Sequence, residues 1–176
     1  MDDFRDTMIF NKKRYRELLE YSQSLKKKGK NLSDICESDF LELLTYSTAL
    51  YKQLDWECRD SYAELMDRFL KGKISEGTLK IKFLAIQESQ EQVQQALESN
   101  LIILSPNPNS AYVANLISDL YWILEERSVD STLSLEEVKS LIKENKYKEA
   151  EKKREHEIYN SVKEIYVKLQ NFLTEE

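Results

Sequence analysis

The sequence is poor in glycine and proline, the residues that most often interrupt regular secondary structure. Its 176 residues include three glycines and two prolines, while 33 % of them are charged. This scarcity, together with apolar positions spaced three and four residues apart, is typical of an all-helical (all-α) protein and leaves almost no strand signal. The length is sufficient for one well-buried core, so we expect a single helical domain over residues 1–176.

Residues that carry out catalysis or bind metals are equally scarce. The sequence has one histidine, His156, and contains neither an HExxH nor a CxxC motif. His156 falls on the polar face of a predicted helix, where a histidine is typically solvated. The segment GKIS at residues 72–75 lacks the spacing of a phosphate-binding loop. We therefore predict a protein that is not an enzyme and has no cofactor, no metal and no small-molecule substrate.

Cysteines and long apolar runs are also few. Cys36 and Cys58 do not form a disulfide pattern and are expected to be reduced thiols. The longest aliphatic run, from Leu101 to Leu104, is far shorter than a membrane span, and the first ten residues lack the apolar core of a signal peptide. We predict a cytoplasmic protein that has no membrane contact and is monomeric in the free state.

The net charge of -6 is distributed unevenly along the chain. Residues 1–30 carry nine Lys and Arg against five Asp and Glu, a balance of +4. Residues 31–70 carry three against nine, and residues 101–142 carry two against six, which gives -6 and -4. Acidic helices in the middle of the chain disfavour a nucleic-acid groove there and favour a basic partner.

Apolar periodicity predicts helices that are separated by short polar connections. Capping residues support the beginning of two of them: Asp39, with Glu42 three residues on, and Ser75. The helix that follows Asp39 is either continuous or broken near Asp55. The predicted helices cover residues 10–28, 39–69, 75–104, 110–127, 134–145 and 147–173.

A lysine cluster ends the first predicted helix, and a glutamine interrupts the third. Four lysines at residues 26–30 surround Gly29, which is typical of a helix C-terminus; an RNA or membrane-surface contact is the alternative. Gln90 interrupts the apolar stripe of its helix. It indicates a local polar contact or a change of packing partner.

The segment from Leu104 to Arg127 contains the feature on which the functional hypothesis depends. Its turn, Ser-Pro-Asn-Pro at residues 105–108, precedes a helix that is capped by Asn109 or Ser110. Counting about 100° per residue, the inward face of this helix consists of Val113, Leu116, Ile117, Leu120, Ile123 and Leu124. The outward face is centred on Asn115, Ser118, Asp119, Trp122 and Glu126.

Trp122 is a large indole among carboxylates and small polar groups. An exposed aromatic residue in such surroundings is typical of a binding hot spot, and the alternative is that another helix of the same chain covers it. We predict that Trp122 and the acidic residues near it bind a protein partner. Those acidic residues are Asp119, Glu125, Glu126, Asp130, Glu136 and Glu137.

Residues 62–146 resemble the colicin D immunity family, small helical proteins that protect a bacterium from a tRNA-cleaving toxin. YAELMDRFLKGKISEGTLKIKF, from residue 62, is similar to the family's opening of an apolar helix, a short turn and a second helix. LSPN at residues 104–107 is similar to its central turn. LYWILEERSVD and SLEEVKSLIKEN are similar to its acidic helix end and its closing helix. The motifs are short, and the likeness lies in their order.

The resemblance implies an antiparallel four-helix-bundle-like core, assigned to residues 39–146. To this core the chain adds a basic N-terminal helix and connection at residues 1–38 and a C-terminal helix at residues 147–176. Members of the family bind the toxin's basic catalytic cleft through carboxylates that stand in for tRNA phosphates. Glu126 and Asp130 are the positions that match the family's toxin-facing acids.

The leading hypothesis is therefore an immunity-type inhibitor, or antitoxin, that binds the basic nuclease domain of a colicin-type toxin. The runner-up is a helical scaffold or assembly factor that docks onto a larger protein complex. RNA binding by the basic arm is a third hypothesis, and an enzyme comes last. Salt separates the first two, because charge-driven association slows steeply with ionic strength and association through an apolar interface does not.

Overall fold

The computed structural model describes residues 10–126, 136, 139, 140 and 147–174, and this part of the chain is helical without a strand. The all-α prediction is therefore confirmed. No helix in this part has the length and apolar composition needed to cross a membrane. The helices are α1 (Lys12–Lys26), α2 (Glu37–Glu57), α3 (Arg59–Leu70), α4 (Glu76–Ser99), α5 (Ser110–Glu126) and α6 (Tyr147–Thr174).

Several predicted helix boundaries differ from the observed ones. The helix predicted to begin after a cap at Asp39 begins at Glu37 instead. Asp39 lies in its first turn, where its carboxylate accepts a hydrogen bond of 2.6 Å from Arg14. The interruption considered near Asp55 occurs at Cys58, between α2 and α3. The helix predicted at residues 134–145 lies largely outside the described residues.

Three helices end in the same hydrogen-bonded turn. At the end of α1, Lys30 N donates to Leu25 O and Gly29 N donates to Lys26 O, both at 3.0 Å. Gly72 occupies the equivalent position after α3, and both glycines have positive φ angles, 69° and 66°. This left-handed position usually requires glycine. The lysine cluster around Gly29 thus lies at a helix C-terminus, as its sequence predicted.

Leu101 occupies the same position after α4, although it is not glycine. Its φ is 56°, and Ile102 N donates to Leu97 O at 2.8 Å. The prediction that the helix continues to Leu104 was therefore wrong, because α4 ends at Ser99. The side chain of Leu101 packs against the apolar core beside α1 and α2. We attribute the strained backbone to this packing.

The chain forms two compact units, and the prediction of a single domain stays a prediction. The first comprises the described residues of Met1–Glu57 and Gln87–Ala111, which contain α1, α2 and the second half of α4. Its core includes stacked rings of Tyr15 and Tyr46, 5.2 Å apart, with Phe10 edge-on to both. Arg14 ties α1 to α2 through Asp39 and Glu42. The buried core residues are Tyr15, Leu18, Leu19, Tyr46 and Leu50.

The second unit comprises the described residues of Cys58–Ile86 and Tyr112–Glu176. It contains α3, the first half of α4, α5 and α6, and α3 packs along α6. An ion pair of 2.6 Å between Arg154 and Glu76 joins α6 to α4. The largest fully buried side chains in this unit are Tyr62, Met66, Leu79, Phe83, Val113, Ile117, Leu120, Ile158 and Leu169. This core holds α5 in place and leaves one of its faces outside.

Candidate protein-interaction surface

The turn before α5 is held by its own asparagine. Asn109 N donates to Asn107 Oδ1 at 2.8 Å, and Ser110 N donates to Asn107 O at 3.0 Å. An asparagine that bonds the backbone two residues on favours a turn over a continued helix. The two prolines reinforce this preference, and α5 begins at Ser110, directly after Asn109, which was one of the two residues predicted to cap it.

The inward face of α5 is the one that the helical periodicity predicts. Ile123 is only partly buried, which departs from the expectation. Burying the other apolar side chains fixes the rotation of the helix about its axis. The fully or nearly fully buried residues are Val113, Leu116, Ile117, Leu120 and Leu124.

Trp122 lies on the opposite face and is 54 % exposed. The indole therefore belongs to the surface, and no helix of the described ranges covers it. Its one described ring contact is with Tyr121, edge-on at 5.3 Å and 74°. Asn115, Ser118 and Asp119 are also exposed, as predicted.

Helix α4 runs antiparallel to α5 in this unit and has exposed apolar residues at the level of the indole. The rings of Phe83 and Tyr121 are 6.4 Å apart, and Lys80 Nζ lies 3.1 Å from Glu125 Oε1, so residue numbers fall along α4 as they rise along α5. Leu84 is 37 % exposed. It follows buried Phe83 on the helix and is rotated from it by about 100°, so its side chain faces away from the core.

Ile81 is 71 % exposed, the largest value among the exposed apolar side chains of the described part. Ile81 and Leu84 are three residues apart and form one outward apolar edge on α4. The pairing of Phe83 with Tyr121 and of Lys80 with Glu125 places this edge level with Trp122 along the helices. We use the term α4–α5 surface for the outward-facing set of Ile81, Leu84, Asp119, Trp122 and Glu125. An exposed apolar group rimmed by polar residues is typical of a binding site.

Sequence reasoning missed Ile81 and Leu84, although a signal was present. The buried stripe of α4 passes through Leu79 and Phe83. In the run LKIKFLAI, Ile81 and Leu84 are apolar but lie off that stripe. Two apolar residues on the solvent side of a helix indicate a second contact surface.

The described carboxylates near Trp122 lie close to lysines of the same chain, which the sequence did not predict. Glu125 is paired with Lys80 from the same chain, and both side chains are about two-thirds buried, with 35 % and 30 % exposure. Asp119 is exposed but lies near Lys168. The pKa of Lys168 is raised, chiefly by its hydrogen bond to Glu164 and in smaller part by the charge of Asp119. The described surface therefore has mixed charge.

The remaining predicted partner-binding acids are described only in part. Glu126 is the last residue of α5, but its side chain lies outside the described residues. Asp130 and Glu137 lie outside them altogether. Glu136 is helical and exposed. The structure thus brings Asp119, Trp122 and Glu125 onto one helix and says nothing of the other acids' contacts.

The histidine and the two cysteines of the sequence all lie among the described residues. His156 is exposed on α6. Cys36 and Cys58 are thiols with no disulfide between them. Within the described ranges, no group of three His, Cys, Asp or Glu side chains converges on a point that could hold a metal ion.

Comparison with known proteins adds no relative to this description. No protein-family model matches the chain, and neither a curated protein nor a solved structure matches it.

Proposed function

We propose that the chain binds another protein through the α4–α5 surface and that it is an immunity-type inhibitor of a tRNA-cleaving, colicin-type toxin. The observation that carries the proposal is the 54 % exposure of Trp122 on a helix whose opposite face is fully packed. A rigid, exposed indole offers a large contact area at little cost in conformational entropy. The order of motifs in residues 62–146 supplies the class of partner.

The proposed mechanism is competition for a basic cleft. A nuclease that grips RNA backbone needs Lys and Arg side chains, and a rigid acidic surface attracts the same cations. Glu126 and Asp130 supply the charge in this proposal, and Trp122 supplies the anchor. Residues 39–146 take the antiparallel four-helix bundle of the family, and the protein acts as a cytoplasmic monomer before it meets the toxin.

A second candidate, a helical scaffold or assembly factor, is favoured by a different observation. Ile81 and Leu84 add exposed apolar area to the α4–α5 surface, while Lys80 already neutralises Glu125. A surface of this kind is suited to an apolar interface with a larger complex. Its partner would bind by contact area more than by charge.

The two candidates are separated by capture followed by kinetics. The full chain is used to capture partners from bacterial extract, and each recovered protein is purified and tested for tRNA cleavage with and without the chain. The inhibitor proposal expects a basic nuclease whose cleavage activity the chain blocks. It also expects the association rate constant to fall by about tenfold or more between low and physiological salt, because salt screens the electrostatic steering of a basic partner.

Matched variants assign the interaction to the surface. Trp122→Ala and the double reversal Glu126→Lys, Asp130→Lys should each weaken nuclease binding, by about tenfold or more for a hot-spot residue. Leu41→Ala is the control for the first, because Leu41 is 52 % exposed on α2. Glu155→Lys on exposed α6 is the control for the second. Failure to recover a basic nuclease, or nuclease binding unchanged by the double reversal, would overturn the inhibitor proposal.

A further inference from the structure

A cavity of about 620 Å³ lies within the first unit, between α1, α2 and the second half of α4. This volume is in the range of sites that bind small molecules. Leu19 and Leu43 provide apolar wall, and the rest of its lining is largely polar. The cavity shares no residue with the α4–α5 surface.

The cavity is lined by a carboxylate, Glu98, which is held through one of its two oxygens. Glu98 Oε1 accepts hydrogen bonds from the Tyr15 hydroxyl at 2.7 Å and from Gln94 Nε2 at 3.1 Å. Burial is the main cause that raises the pKa of Tyr15, so this hydroxyl keeps its proton and donates. The second oxygen of Glu98, Oε2, has no donor among the described residues. A carboxylate held in this way can accept an ammonium group without reorganising.

Ser22 is a second polar group that lacks a partner. It lines the cavity and is only 8 % exposed, yet its hydroxyl forms no hydrogen bond with any described residue. The hydroxyl oxygen itself is not among the buried side-chain atoms without a partner in the described part, so it is open to the cavity. The hydroxyl can donate to or accept from a bound molecule. Ser22 therefore offers a polar contact to a molecule in the cavity.

Two cations stand at the rim. Lys26 and Lys27 line the cavity from the last turn of α1, and neither forms an ion pair with a described residue. Ser22 and Lys26 are four residues apart, so they share one face of the helix. Gln23 Nε2 donates to Glu98 O at 3.1 Å, which holds this turn of α1 against the end of α4. A carboxylate and two exposed cations therefore line the same cavity.

We propose that this cavity binds a small zwitterion of dipeptide size, with its ammonium group on Glu98 and its carboxylates on Lys26 and Lys27. The ammonium group satisfies the free oxygen of Glu98, and a backbone-like carbonyl of the ligand accepts from Ser22. A short aliphatic group of the ligand contacts Leu19 and Leu43. Neither a simple polyamine nor a simple polyanion matches both ends of the site.

The test uses the dipeptide alanyl-glutamate, which has one ammonium group, two carboxylates and one methyl group. Its N-acetylated form lacks the ammonium group and serves as the matched probe. The full chain, labelled with ¹⁵N, is titrated with each compound to about 10 mM, a range that detects weak binding. We expect the unmodified dipeptide to shift the amide resonances of Ser22, Ser47 and Glu98, and the acetylated form to lose at least about tenfold in affinity.

Variants test both ends of the site. Glu98→Gln keeps an oxygen for Tyr15 but removes the negative charge, and Lys27→Ala removes a rim cation; each should weaken dipeptide binding by about tenfold. Lys28→Ala is the control, because Lys28 belongs to the same lysine cluster but does not line the cavity. Lys27 is exposed, so its variant will fold even if Glu98→Gln does not. Absence of resonance shifts, or binding unchanged by acetylation and by Lys27→Ala, would overturn the proposal.

Discussion

The side-chain amide of Gln90 donates a hydrogen bond of 3.2 Å to the carboxylate of Asp55, and both residues are almost completely buried, with 3 % and 4 % exposure. Burial removes water from the carboxylate and disfavours its charged form. One neutral donor recovers only part of that loss. The pKa of Asp55 is therefore raised by burial, despite the opposing effect of Gln90, to about 7.

This pair predicts that the protein becomes less stable as the pH rises towards neutrality. The unfolded chain has the ordinary Asp pKa of 3.8, so between pH 4 and pH 7 the folded state binds the proton more tightly. The stabilisation is complete below pH 4 and is lost as the pH rises through 7, an effect of at most about 4 kcal/mol. Urea unfolding at a series of pH values measures it.

Asp55→Asn should flatten this pH dependence, because asparagine keeps the oxygen that accepts from Gln90 and carries no charge. The variant should be more stable than the original chain at pH 8. Asp60→Asn is the control, since Asp60 is exposed. An unchanged slope between pH 4 and pH 8 in Asp55→Asn would show that Asp55 does not bind the proton.

The Gln90 contact also illustrates what sequence could and could not predict. A glutamine on an apolar stripe indicated either a local polar contact or a change of packing partner, and the hydrogen bond to Asp55 is a contact of the first kind. The identity of the partner could not be predicted, because Asp55 lies 35 residues away on another helix. In the same way, periodicity predicted that Trp122 faces outward. It could not predict that Lys80 neutralises Glu125, since a helical pattern does not identify the neighbouring helix.

Substitution by alanine at two glycines should change the free energy of unfolding in opposite directions. Gly72 has a φ of 66°, and Gly77 lies in the first turn of α4; in both cases an added Cβ meets no atom within 4 Å. Gly72→Ala should lower the free energy of unfolding by about 1 kcal/mol, because alanine is strained at positive φ. Gly77→Ala should raise it by about 0.5 kcal/mol, because alanine favours the helix. Thermal or urea unfolding compares them, and destabilisation by both variants would contradict the helix boundary at Glu76.

Substitutions on opposite faces of α5 should have different effects on the free energy of unfolding, because one face is buried and the other is available to a partner. Leu120 is fully buried, so Leu120→Ala should cost about 2–5 kcal/mol of unfolding free energy. Trp122→Ala removes an exposed indole and should change stability by less than about 1 kcal/mol. Calorimetry of the two variants measures this difference. A large loss of stability in Trp122→Ala would mean that the indole is part of the core and is not available to a partner.

The ion pair between Lys80 and Glu125 provides a test of which class of partner binds the α4–α5 surface. Both side chains are partly exposed, so Lys80→Ala should cost no more than about 1 kcal/mol of stability. The same change releases the negative charge of Glu125. If a basic nuclease is the partner, Lys80→Ala should increase its association rate at low salt, because the surface then carries one more negative charge.

The matched control removes both charges. Lys80→Ala combined with Glu125→Gln should return the association rate to that of the original chain, because the net charge of the surface is the same in both proteins. Stopped-flow association at two salt concentrations makes the comparison. For an apolar scaffold interface neither variant should alter the rate, since contact with Ile81, Leu84 and Trp122 does not depend on the charge of Glu125. A rate that falls in Lys80→Ala would contradict a basic partner on this surface, because freeing a carboxylate cannot repel a cationic protein.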